Sequence, residues 1–97
     1  MNQFFEALGQ EWVDAAQRRG ATITRPVLDS RVALELLELA RVAAHTQERR
    51  FAPLTCYLAG VAAEQLKLAI PDIDEAALAE FIQEVRQKLE AETPRPT

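Results

Sequence analysis

The sequence predicts an all-α fold, a compact four-helix bundle, from three observations. Four segments repeat apolar residues at helical spacing. None alternates with the period of two that marks a strand. Short connections marked by Gly20, Pro53 and Pro71 separate the segments, and the short loops between the last three favour antiparallel neighbours.

The first helix is expected from about Asn2 to Arg19, with Phe5, Leu8, Trp12, Val13 and Ala16 on one stripe. Asn2 is the expected N-cap and Gly20 the stop, with Arg18 and Arg19 complementing the negative end of the helix dipole. The second helix is expected from about Leu28 to Gln47. Val32, Leu36, Leu39, Ala40 and Ala43 form its inner stripe, Ala33, Leu37 and Ala44 widen it, and Leu34 and Val42 fall outside it. A helix apolar over most of its circumference is buried on several sides. In so small a domain, that predicts a central helix or one that also meets a second chain.

Proline is favoured at a first helical position, so the third helix is expected to run from Pro53 to about Ala69. Its expected inward face carries Leu54, Leu58, Val61, Gln65 and Leu68, flanked by Tyr57 and Ala62. Pro71 ends it. Asp72 with Glu75 resembles a capping box for a fourth helix from about Ile73 to Glu90. Its stripe is Ala77, Leu78, Phe81, Ile82, Val85 and Leu89, with Glu80, Glu84 and Lys88 outside. One helical domain is therefore expected over residues 1–92, followed by a disordered tail over 93–97, where two prolines stand without an apolar anchor.

Composition narrows the function classes. The chain has 97 residues, 48% hydrophobic and 27% charged, which is the balance of a globular domain. No stretch approaches the roughly 18 apolar residues that would span a bilayer. Eleven basic and fifteen acidic residues give a net charge of -4, which disfavours nucleic-acid binding. The lack of a basic recognition helix also opposes a helix-turn-helix reading. One cysteine and one histidine cannot complete a structural zinc site, and a lone cysteine without a secretory signal fits the cytoplasm. No metal and no cofactor are expected.

The densest polar feature joins the second and third helices. Leu34, Glu38, Arg41 and His45 share one outer strip, and Arg49, Arg50 and Thr55 surround the start of the third helix. Free N–H groups and the positive dipole end at a helix start attract anions. Arg41, His45, Arg49, Arg50 and Thr55 are therefore the candidate residues for a phosphate or carboxylate ligand. The plainer alternative pairs Arg41 with Glu38, leaves Arg49 and Arg50 solvated and makes His45 a helix-end cap. Cys56 in the third helix's first turn suggests a Cys–His pair with His45. No oxyanion hole or orienting third group is visible, so no catalytic residue is assigned and Cys56 reads as a small packing residue. Asp72, Asp74 and Glu75 lack the spacing of a calcium loop and read as capping residues. Phe4, Phe5 and Trp12 belong to a core or an interface. If Phe4 and Leu34 are exposed in the single chain, a partner surface is the better reading.

The run Ala44-His45-Thr46-Gln47-Glu48-Arg49-Arg50-Phe51-Ala52-Pro53-Leu54-Thr55-Cys56-Tyr57-Leu58-Ala59-Gly60 follows the leucine-rich Leu36-Leu37-Glu38-Leu39-Ala40-Arg41. Over roughly residues 28–66 this resembles a small bacterial all-helical domain family of unknown function, found alone or fused to molybdenum cofactor guanylyltransferases. The resemblance implies an accessory domain with a protein partner in molybdopterin metabolism. It brings no catalytic residues. His45, Arg49, Pro53 and Thr55 are the matching polar or special positions. No glycine-rich nucleotide loop is present in the sequence, so nucleotidyl transfer by these residues is not expected. The expected function is a non-enzymatic interaction module that forms a homodimer through apolar surface on its second helix, with anion binding as the alternative.

Overall fold

In a computed structural model of the protein, residues 2–92 are described. They form four helices: α1 (Gln3–Arg18), α2 (Ser30–Thr46), α3 (Phe51–Ala69) and α4 (Glu75–Glu92). There is no strand among the described residues. The all-α class and the four helices are as expected. The expected tail over 93–97 lies outside the described residues. The chain divides into two compact units, one over Met1–Ser30 and one from Arg31 onward.

The first unit is set by local chemistry at both ends of α1. Asn2 is extended, and its side-chain oxygen accepts from the Phe5 N–H at 3.2 Å, which makes it the N-cap. At the other end Gly20 takes φ 79°, a left-handed conformation that glycine adopts without strain. The Ala21 N–H then reaches the Ala16 carbonyl at 2.9 Å, and the Gly20 N–H reaches that of Gln17 at 3.0 Å. These are the two bonds of a Schellman cap. The segment after the cap folds back against α1 at Gly9, the buried residue of that helix. A Cβ on Gly9 would stand 2.8 Å from the Pro26 carbonyl oxygen and 3.0 Å from Cγ of Arg25. Phe5, Leu8 and Trp12 stay exposed around a shallow apolar pocket of about 190 Å³ shared with Pro26 and Val27.

The second unit packs α2, α3 and α4 around Leu39, Val42, Ala43, Ala63, Leu78, Ala79 and Ile82. Val42, placed outside the α2 stripe by periodicity, is 1% exposed. Leu37, placed beside the stripe, faces outward. Helix α2 has neighbours on two sides, so its buried sector is wider than one stripe and is rotated from the expected centre. The Cys56 Sγ of α3 donates to the Leu36 carbonyl at 3.5 Å, and Arg86 of α4 donates to Glu35 at 3.3 Å.

Helix α3 differs most from expectation. Its inward residues are Cys56, Ala59, Ala63 and Leu66, spaced by three, four and three. The face expected inside points out: Tyr57 is 71% exposed, Leu58 67% and Leu68 83%. The physical reason is size. Small side chains let α3 and α4 bring their backbones within 8 Å, and close packing rewards that approach.

Three helix starts also move, and α2 begins at Ser30 rather than about Leu28. Helix α3 begins at Phe51 rather than Pro53. Proline is tolerated there because none of the first few N–H groups of a helix has an intrahelical acceptor. For α4 the capping residue is Asp74, not Asp72. The Asp74 carboxylate accepts from the Ala77 N–H at 2.8 Å. The Ile73 N–H closes a turn onto Ile70 at 3.1 Å, which holds Asp72 in that turn and delays the helix.

Candidate functional site

The strip expected to bind an anion is ordered by its own carboxylates. Arg41 donates to Glu38 through Nε at 3.1 Å and Nη2 at 2.9 Å, and to Glu90 at 3.3 Å. The hydrogen bond to Glu38, followed by that to Glu90, raises the guanidinium pKa further above its ordinary value. Arg50 lies 3.4 Å from Glu48 and stacks 5.9 Å over the Phe51 ring. His45 and Arg49 are exposed. Thr55 lies elsewhere, half-buried beside an apolar groove.

The amides expected to receive the anion are largely spent. The Phe51 N–H donates to the Glu48 carbonyl at 3.0 Å, and the Ala52 N–H donates to that of Arg49 at 3.1 Å. Pro53 has no N–H. Of the four groups a helix start normally leaves open, only that of Arg50 remains uncommitted by these bonds. Arg41 and Arg50 are thus held by carboxylates, Thr55 faces carbon, and the start of α3 offers little for an anion.

Cys56 is half-buried, and burial pushes its thiol pKa up. A raised pKa keeps the sulfur protonated, the reverse of nucleophile activation. Its Sγ–H is directed at the Leu36 carbonyl, which fits a small packing residue. Among the described residues, no three or more His, Cys, Asp or Glu side chains cluster so as to hold a metal ion. Among the described residues, no helix is long and apolar enough to cross a membrane.

A second candidate surface is apolar and lies on α3 and α4. A groove of about 300 Å³ runs between these helices, lined by Leu58, Ala59 and Ala62 on one side and Phe81, Val85 and Leu89 on the other. Thr55 also lines that groove. On the far side of α3 a shallower hollow of about 510 Å³ lies over Tyr57, Gly60, Val61, Glu64, Gln65 and Leu68. A Cβ added at Gly60 would meet nothing within 4 Å. The only charges on α3 are Glu64 and Lys67, and they pair with each other at 3.2 Å. Phe4 and Leu34 are exposed as well, which meets the condition for reading the apolar residues as partner surface.

Sequence reasoning missed this face by turning it inward. The signal was present in side-chain size, because Cys56, Ala59 and Ala63 form a stripe of small residues opposite the large ones.

No curated protein and no solved structure matches the chain. A family profile described as a domain of unknown function, DUF6457, matches residues 6–96. The chain therefore belongs to the DUF6457 family of domains of unknown function.

Proposed function

We propose that this chain is a non-enzymatic interaction module of the cytoplasm that associates with itself through exposed apolar helix surface. The observation that carries the reading is the outward face of α3. Large apolar side chains on an ordered helix cost solubility and lower no energy within the single chain, so they are kept for contact with another surface. The resemblance of residues 28–66 to domains fused to molybdenum cofactor guanylyltransferases supports a partner of that class and a role beside cofactor maturation.

Light scattering after gel filtration tests self-association. A mass near twice 10.8 kDa at micromolar concentration is expected, and a monomeric mass throughout would overturn it. Titrating a purified molybdenum cofactor guanylyltransferase against the labelled chain tests the partner class. Saturable binding is expected, and a flat titration removes that assignment.

A further inference from the structure

We infer that the second copy docks on the outer face of α3, centred on Gly60 and Val61, with the two α3 helices antiparallel across a two-fold axis. This deepens the self-association reading and rests on it. The surface differs from the one that periodicity suggested on α2.

Area is the first argument. Leu54, Tyr57, Leu58, Val61 and Leu68 are all exposed. At about 60–120 Å² for each fully exposed large aliphatic side chain, and more for the tyrosine, they offer on the order of 400 Å² of apolar surface. One side of a standard interface covers about 800 Å², a little over half of it apolar. The face therefore supplies roughly the apolar share that a stable dimer needs from one partner.

Charge is the second argument, and it leaves this face open to a second copy. The chain carries a net charge of -4, so two copies repel over most approaches. Helices α2 and α3 each balance to zero, and α3 carries the fewer charges, Glu64 and Lys67, which pair with each other. A two-fold axis at Val61 sets Leu54 opposite Leu68 of the partner subunit, and Tyr57 opposite Gln65 of the partner subunit. It sets Leu58 opposite Glu64 of the partner subunit, whose charge is already held by a lysine. No pair of like charges is brought face to face.

Gly60 is the third argument. Glycine inside a helix costs about 1 kcal/mol relative to alanine. Nothing within this chain needs its missing side chain, since a Cβ there meets open space. Beside the axis, that gap lets two helix backbones approach closely.

The test uses single-cysteine variants in a Cys56→Ala background, with mass measured by light scattering and cross-linking by mild oxidation. Val61→Cys lies on the axis and should give a covalent dimer. Leu34→Cys, on α2, should not. Gly60→Arg should weaken association by about thirtyfold or more, the loss typical of a central interface position. Helix content should stay unchanged in this variant, because a Cβ at this position meets nothing within 4 Å and arginine is a good helix former. Cross-linking through Leu34→Cys and not Val61→Cys would overturn the α3 assignment while leaving self-association in place. A monomeric mass at every concentration would overturn both. A monomer whose Val61→Cys thiol is shielded from a thiol reagent would give the face to another part of the same chain, and would also overturn the proposal.

Discussion

The seam between α2 and α4 and the outer face of α3 reverse the usual placement of polar and apolar groups. At the seam, Arg86 and Glu35 are 13% and 18% exposed, which is low for charged side chains. The same arginine reaches Glu90 at 3.5 Å, and Glu90 continues to Arg41 and Glu38, so five charged groups form one chain of contacts. On α3, large hydrocarbon side chains face water. The charged residues are satisfied within the chain and the apolar ones are not. The part of the sequence that looks least polar is therefore the part left unfinished, and composition alone does not locate the core.

Leucine truncation should separate the regions most sharply. Leu78→Ala empties a position that is 2% exposed and should cost about 3 kcal/mol. Leu58→Ala on the open face should cost under about 1 kcal/mol at dilutions where the chain is monomeric. Urea unfolding at low concentration reads both, and equal losses would break the distinction.

The ionic seam comes next. Arg86→Met leaves Glu35 partly buried without its nearest partner and should cost about 2 kcal/mol. The double change Arg86→Met with Glu35→Leu should recover most of that loss, because an apolar pair of similar volume needs no counter-charge. A double variant as weak as the single one would show that the seam contributes more than mutual neutralisation.

Two glycines give a finer contrast from one substitution. Gly9→Ala forces a methyl against the Pro26 carbonyl and should cost about 1–2 kcal/mol within the first unit, read by Trp12 fluorescence in urea. Gly60→Ala meets open space and should raise the stability of the dilute monomer by up to about 1 kcal/mol.

The thiol predicts a smaller pH effect. Burial raises the folded pKa of Cys56 above the unfolded value of about 8.5. Its contribution is complete below about pH 8.5 and is lost as pH rises through the folded value, because the unfolded chain gives up its proton first. The urea midpoint should fall across that alkaline window, and Cys56→Ala should remove this part of the fall. The smallest effect is expected at the basic strip. Inorganic phosphate at millimolar concentration should leave the His45 ring resonances in place, since the nearby α3 amides are already bonded.

What the sequence disclosed follows the range of the interaction. Asn2, Gly20 and the Arg41–Glu38 pair depend on residues three to five positions apart, so their chemistry was readable in order along the chain. Asp74 reads as a capping residue in the sequence, but the N-cap place went to Asp72 because of its spacing to Glu75. The turn between Ile70 and Ile73 decides which aspartate reaches a free N–H. Glu90 as a partner of Arg41 was invisible because the two lie far apart in sequence. The apolar face of α3 was visible as a stripe, but periodicity reports that a stripe exists and not which way it points. Direction came from Cys56, Ala59 and Ala63, whose small volumes admit neighbouring helices that leucine would hold off.

The turned α3 also sets where the chain tolerates change. Inward, at Ala59 and Ala63, side-chain length is the constraint, and a longer residue wedges helices apart whatever its polarity. Outward, at Leu54 and Leu68, folding places almost no limit on length or polarity. A library of variants selected only for a folded monomer would drift toward glutamate and lysine on that outer stripe while its alanines stayed fixed.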